Sequence, residues 1–440
     1  MTCEISAGPP AWIAARSEAL RPGQTLVAGL DATASGWHGA DGGAARERLA
    51  RRPGRLVAFL HADDVAGRDV GRLLDTPASA ADESIAFLVP RGHRDPNAAR
   101  DVVGVRSFLC SPEFFQRHHA RILAGDPPAY GAAEAALAHP IALRALQWPA
   151  RSARASARGD ASLLDPPVTW LVPHRGDPAF LDTCLAHLRR AAARHDAIWV
   201  CLDEPPAPAH TDFVRAYPEV RFWRCSPDGV GPYVARHVLG LAATTDILIF
   251  QDSDDVPLHG RRAALVAAIR ADGLDMVGSH ELRLEDRERR VMGLRFPEDI
   301  NAALRRDPND LHVFLHPTTA VRVAALRAIG GFSTVRTFAT DMQFLYRAHF
   351  SLRCRNLDDF LYLRRKRPGS LTTSPGTGHG ELPRMLLENR WRRDFTRVSA
   401  GELSLADSSL TPEHHPSLAE IRLEELSPAT PCRNGSQRVK

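Results

Sequence analysis

Short apolar, β-branched runs alternate with helix-spaced segments through the middle of the chain. Val168-Thr169-Trp170-Leu171-Val172 predicts a buried strand stopped by Pro173. From Pro178 to Arg190 the apolar residues Phe180, Leu181, Cys184, Leu185 and Leu188 recur at helical spacing. Ala197–Leu202 predicts a second strand and Val220–Trp223 a third. A helix follows from about Tyr233 to Ala243, and Asp246–Phe250 predicts a fourth strand. Strands alternating with helices imply an α/β fold with a doubly wound, mostly parallel sheet. Such sheets bind ligands beyond the carboxyl ends of their strands. Three of these strands end in polar groups: His174-Arg175, Asp203-Glu204 and Asp252-Ser253-Asp254.

The pattern lapses twice. Residues 151–165, rich in Arg, Ser and Ala, read as a linker, and 401–440 as a polar tail with too little apolar surface to order itself. This divides the 440-residue chain into a unit at 1–150, the linker, a unit at 166–400 and the tail.

A net charge of only +4 argues against a dedicated nucleic-acid binder. The seven cysteines are scattered without a C-x-x-C pair, which predicts free thiols in a reducing compartment. The amino terminus shows no secretory signal, and the longest apolar runs are strand-sized. A cytoplasmic protein with no transmembrane segment is the expectation. There is no G-x-G-x-x-G after the first strand, no G-K-[ST] and no H-E-x-x-H.

Six segments carry the chemistry. They are Pro173-His174-Arg175-Gly176-Asp177, Asp203, Gly231-Pro232-Tyr233-Val234-Ala235-Arg236-His237, Asp252-Ser253-Asp254, Gly330-Gly331-Phe332 with Thr340-Asp341-Met342-Gln343, and Arg365-Lys366-Arg367-Pro368-Gly369-Ser370-Leu371-Thr372. In this order and spacing they resemble the family 2 inverting glycosyltransferases of the GT-A fold over about residues 166–395. The chain departs from the family pattern at His237 (Asn there), Thr340 (Glu), Gln343 (Asp) and Arg367 (His).

The resemblance implies transfer of a sugar from a nucleotide-sugar donor of the UDP or GDP type to a hydroxyl of a saccharide or lipid-linked acceptor, as in surface polysaccharide or glycoconjugate synthesis. It implies donor contacts from Pro173, His174, Arg175, Asp203, Arg236, Asp252, Ser253, Arg365, Arg367 and Ser370. Asp254 and Asp252 would hold Mn2+ or Mg2+, because hard carboxylate oxygens suit such ions and the ion neutralises the leaving diphosphate. On spacing alone the acidic cluster fits an acidic helix cap equally well. Asp341 would be the base that takes the acceptor proton, and the arginines match phosphate oxygens bidentately. Leu386, Leu387, Trp391 and Phe395 beside Arg390, Arg392 and Arg393 suggest an amphipathic basic helix, open to peripheral membrane contact or to packing on its own domain.

Residues 1–150 echo the pattern. Leu26–Asp31 resembles the second strand and its acid, Gly42-Gly43-Ala44-Ala45-Arg46 the Val234-Ala235-Arg236 stretch, and Leu56–Asp64 the acidic strand with His61 for the first aspartate. Ala133 stands where the base belongs. A degenerate, non-catalytic GT-A-like copy is therefore expected, with an unrelated α/β domain as the alternative. Two other functions remain open: a catalytically inactive nucleotide-sugar or glycan-binding scaffold, and a sugar nucleotidyltransferase.

Overall fold

A computed structural model of the protein describes residues 3–8, 25–30, 56–61, 84–90, 101–124, 128–148, 165–205, 207–308, 313–335, 338–414 and 421–426. Most of the 151–165 linker and the Gly42–Arg46 stretch lie outside the described residues. The amino-terminal unit contains β1 (Cys3–Gly8), β2 (Thr25–Leu30), β3 (Leu56–His61), β4 (Ser84–Pro90), β5 (Asp101–Val105) and β6 (Ser107–Cys110). Helices α1 (Pro112–Ala124) and α2 (Pro128–Leu137) and strand β7 (Ala142–Trp148) follow among its described residues. Its sheet runs β1-β2-β3-β6-β4-β7, and β5 leaves it to pair with the second unit.

The second unit opens with β8 (Val168–His174), α3 (Pro178–Ala191), β9 (Ala197–Leu202), α4 (Pro208–Ala216), β10 (Val220–Ser226), α5 (Pro232–Ala242) and β11 (Ile247–Phe250). These four strands are parallel neighbours in the order β10-β9-β8-β11, as the alternation predicts. Every β8 residue is buried, the mark of a strand covered on both faces. It continues through Pro173, where a stop is expected. Its pairing with β11 ends at Leu171↔Phe250, so the prolyl nitrogen interrupts no ladder on that side. Asp177 caps α3 by accepting from Ala179 N (2.9 Å), with Pro178 in the first turn.

Beyond β11 lie β12 (Val256–Pro257), α6 (Arg261–Ala271), β13 (Met276–Glu285), β14 (Arg290–Arg295), α7 (Ile300–Arg306), β15 (Ala320–Arg322), α8 (Val323–Ala328), α9 (Thr340–Ser351), β16 (Cys354–Lys366), α10 (Leu382–Ser399) and β17 (Arg422–Leu426). Strand β15 is antiparallel to both neighbours, β11 and β13, so the sheet is mixed.

The expectation of an unordered tail is corrected for residues 401–414 and 421–426. Strand β17 pairs antiparallel with β10, Leu410 is fully buried, and Leu405, Ile421 and Leu423 pack on the core. Gln343 Nε2 donates to the carbonyls of Ser409 (2.7 Å) and Thr411 (3.1 Å), and Arg347 to that of Leu410 (2.7 Å). A few apolar anchors with satisfied carbonyls order a segment whose average composition is polar.

In the amino-terminal unit, β3-β6-β4-β7 has the pairing senses antiparallel, antiparallel, parallel. The run β11-β15-β13-β16 has the same senses in the same chain order. The first strands differ: β1, β2 and β3 are consecutive neighbours, and β2 is antiparallel to β3. The units meet where β5 pairs antiparallel with β14. One buried cluster joins Phe59, Phe87 and Phe108 to Leu282, Val291, Phe360 and Leu363.

Gly293 sits at this seam, where an added Cβ would lie 2.5 Å from Val89 Cγ1 and 3.2 Å from Val103 Cγ2. Gly293→Ala is expected to destabilise the chain by about 1–3 kcal/mol through overpacking, read as a lower urea midpoint.

Candidate functional site

The acidic cluster lies where β11 stops, and a fully buried cation braces that stop. Arg261, at the start of α6, donates to the carbonyls of Phe250 (2.7 Å) and Pro317 (2.7 Å) and to Gln251 Oε1. Its guanidinium lies 5.4 Å from the Trp170 ring centroid and 4.7 Å from that of Tyr362. Burial lowers its pKa to about 10, so it remains charged at neutral pH. Tyr362 on β16 donates to Asp255 Oδ2 (2.7 Å) and its oxygen accepts from Asp252 N (3.2 Å). Arg365 N donates to Asp255 Oδ1 (2.7 Å). Both oxygens of Asp255 are therefore engaged. Burial, then the charges of Asp254 and Asp252, push its carboxyl well above the usual carboxylate range.

Asp252 and Asp254 face cations. Arg236 on α5 donates to Asp252 Oδ1, and Arg367 Nε to Asp254 Oδ2 (3.1 Å). Burial and the neighbouring Asp252 raise the Asp254 pKa, while Arg367 opposes the rise. One oxygen from each of Asp252, Asp254 and Asp255 lies within 4.8 Å of the others. Three hard oxygens in mutual repulsion fit a divalent cation of the Mg2+ or Mn2+ kind.

Phe180, in the first turn of α3, lies under two of the predicted donor arginines. The Arg367 and Arg365 guanidinium carbons are 4.4 and 5.4 Å from its ring centroid. Arg365 Nε also donates to Asp286 Oδ2 (2.7 Å), and Tyr130 of α2 reaches Asp286 Oδ1 at 3.4 Å. Through these contacts the amino-terminal unit touches the site.

The first-strand segment is placed beside the cluster. His174 Nδ1 hydrogen bonds with Ser253 Oγ (2.9 Å). Burial lowers the His174 pKa to about 4, against the pull of Glu204, so the ring is neutral near pH 7. Pro173 pairs in register with Cys201 of β9. Arg175 is exposed, its side chain lying over Gly229. Asp203 is 2% exposed, and its oxygens accept from Val230 N (2.8 Å) and Gly231 N (2.7 Å). It thus shapes the loop before α5, where Gly231 has a φ of 92° that only glycine adopts easily. Ser370 bonds with Thr372 (3.1 Å) and Thr373 (3.0 Å) in the loop after β16.

Asp341 occupies the first turn of α9, half-buried, after Ala339 in the left-handed region at φ 60°. Its Oδ1 accepts from Tyr233 Oη (2.9 Å). Tyr233 and Arg236 are one helical turn apart on α5, so a single helix faces both Asp341 and Asp252. The departures from the family pattern have local partners. His237 Nδ1 accepts from Phe332 N (3.2 Å), tying α5 to the Gly330-Gly331-Phe332 turn. Gln343 holds the carboxyl-terminal segment.

Sequence reasoning missed Tyr233, Tyr362, Arg261, Phe180, Asp286 and Tyr130. Tyr233 lay inside a motif already singled out. The Arg365–Asp286 and Tyr130–Asp286 contacts span 79 and 156 residues, beyond any local pattern.

The acids stand at the carboxyl end of a parallel strand, where a doubly wound sheet binds its ligands. Residues 169–330 match the family model "Glycosyl transferase family 2". No curated relative matches the chain. Among solved structures, Staphylococcus aureus TarS 1–349 in complex with UDP-GlcNAc is 20% identical, over 46% of this chain and 60% of that one, with a TM-score of 0.39. The same protein with UDP is 17% identical over 54% of this chain and 67% of that one, with a TM-score of 0.41. In the first of these comparisons the chain spans about three fifths of its neighbour's length.

Tyr362→Phe removes the hydroxyl that joins Asp255 to the Asp252 amide. Supporting groups of this kind are worth about 10–100-fold in metal affinity. The variant is expected to bind Mg2+ or Mn2+ at least about tenfold more weakly than the wild type, measured by calorimetric metal titration.

Proposed function

We propose that the protein transfers a sugar, with inversion, from a nucleotide-sugar donor of the UDP or GDP type to a hydroxyl of a saccharide or lipid-linked acceptor, in the synthesis of a surface polysaccharide or glycoconjugate. The observation that carries this reading is the shared helix. Through Tyr233 and Arg236, α5 contacts both Asp341, the candidate base, and Asp252 of the acidic cluster.

In this mechanism Asp341 accepts the acceptor proton as the hydroxyl oxygen attacks the anomeric carbon. The bond from that carbon to the diphosphate oxygen breaks, and the nucleoside diphosphate departs. Asp252 and Asp254 would hold Mn2+ or Mg2+, which when bound supplies Lewis-acid stabilisation of the leaving diphosphate. Arg236 and Arg367, each already paired to one of these acids, are placed to share their charge with phosphate oxygens. Arg365 stands beside Arg367 on Phe180. His174 and Ser253, bonded to each other, form the wall on which the nucleoside end of the donor would rest.

The amino-terminal unit is read as a catalytically silent GT-A-like copy. Support comes from the four-strand run that repeats β11-β15-β13-β16 in order and sense. In that run His61 ends the strand equivalent to β11, and Ala133 lies in α2, which enters β7 as α9 enters β16.

Asp341→Asn is expected to bind donor as the wild type does, by calorimetry with Mn2+, and to lose about 10²–10⁴-fold in transfer. Undiminished turnover would remove Asp341 from the role of base. Stereochemical analysis of the product by NMR tests inversion directly.

A further inference from the structure

Helix α10 is two-faced in a way that leaves its outer side unexplained by folding. Arg384, Trp391, Asp394 and Phe395 are buried. Trp391, Phe395 and the half-buried Leu387 enter the core of the domain, Phe395 against Tyr346 at 4.7 Å between centroids. The apolar stripe most visible in the sequence is therefore consumed inside.

Leu382 (66% exposed), Leu386 (61%) and Met385 (45%) remain outside, with Leu371 (42%) nearby. These are four of the five large hydrophobic residues exposed among the described residues. Leu371 belongs to the loop strapped onto the start of α10. Thr377 Oγ1 donates to its carbonyl (2.8 Å), and Arg384 Nε donates to Thr377 O (2.8 Å).

At 3.6 residues per turn, Leu382, Met385, Leu386, Arg390, Arg393 and Arg397 fall within about 140° of one face. Arg390, Arg393 and Arg397 are exposed. The helix's carboxylates point the other way. Glu388 lies between Arg384 and Arg392 at 3.7 Å from each, and Asp394 accepts from Ser409 N (2.9 Å). Glu381 and Glu402 lie beyond the two ends. The face is apolar in its first two turns, basic in the rest and free of acids.

We propose that this face docks on an anionic lipid bilayer, with Leu371, Leu382, Met385 and Leu386 entering the headgroup–acyl boundary and the three arginines meeting lipid phosphates. Charge complementarity selects this occupant over an apolar protein partner, since three exposed arginines on one acid-free helix face favour a dense anionic surface. The apolar end also lies near Asp341. Arg384 stacks on Phe338 at 5.5 Å, and the Asp341 charge contributes to raising the Glu388 pKa, after burial. If the proposed transfer is correct, docking brings the base to the level at which a lipid-linked acceptor presents its sugar.

The test is co-sedimentation of the full chain with vesicles of phosphatidylcholine, with and without phosphatidylglycerol. Binding is expected only with phosphatidylglycerol and should weaken as salt rises. Leu382→Ser with Leu386→Ser should weaken it by at least about tenfold. Charge reversal at Arg390 and Arg393 should cost about fivefold or more for each arginine. Neither pair should change the thermal midpoint or donor hydrolysis. Three results would overturn the proposal: no vesicle binding, equal binding to neutral vesicles, or variants that dissociate a dimer in light scattering yet still bind vesicles. Because vesicle binding needs no turnover, loss of sugar transfer alone bears on the catalytic reading and not on this one.

Discussion

Three carboxylates held together at the end of a buried strand repel one another, and much of the surrounding structure offsets that repulsion. Arg261 contributes most directly: a fully buried guanidinium between two aromatic rings, pinning the carbonyls where β11 ends. Tyr362 then absorbs one oxygen of Asp255 and the amide of Asp252. With Asp255 held by neighbours, Asp252 and Asp254 stay partly exposed, each against one arginine. A buried charge stripped of its partners is strongly destabilising, so these contacts form a set in which each member depends on the others.

The same logic links the acids to Asp341. Residues one turn apart on a helix share a face, and Tyr233 and Arg236 use that spacing to address Asp341 and Asp252. Position along α5 thereby converts two distant segments into one site. The left-handed Ala339 just before α9 is an uncommon conformation for a residue with a side chain. It occurs where the chain turns to bring Asp341 inward.

Much of this was legible in the sequence because the chemistry sits at strand and helix ends. Alternating apolar runs located β8, β9, β10 and β11, and the polar residues that follow them fall on one edge of the sheet. Spacing did not reveal which acids are turned to the crevice and which serve the loop. Spacing suggests a donor contact for Asp203 and does not reveal that its oxygens also satisfy two loop amides. The carboxyl-terminal segment was misread for a related reason. Average polarity hides Leu405, Leu410, Ile421 and Leu423, and order there depends on where those few residues land. Contacts such as Tyr130 to Asp286 join residues too far apart for any window of pattern to detect.

The core that spans both units has a thermodynamic corollary. Phe59, Phe87 and Phe108 share a buried cluster with Leu282, Phe360 and Leu363, and β5 completes the edge of the second sheet. Unfolding either half would wet the interior of the other, which couples the two units in stability. A substitution at Phe59, Phe87 or Phe108 therefore reaches the stability of strands β13, β14 and β16 through shared apolar contacts.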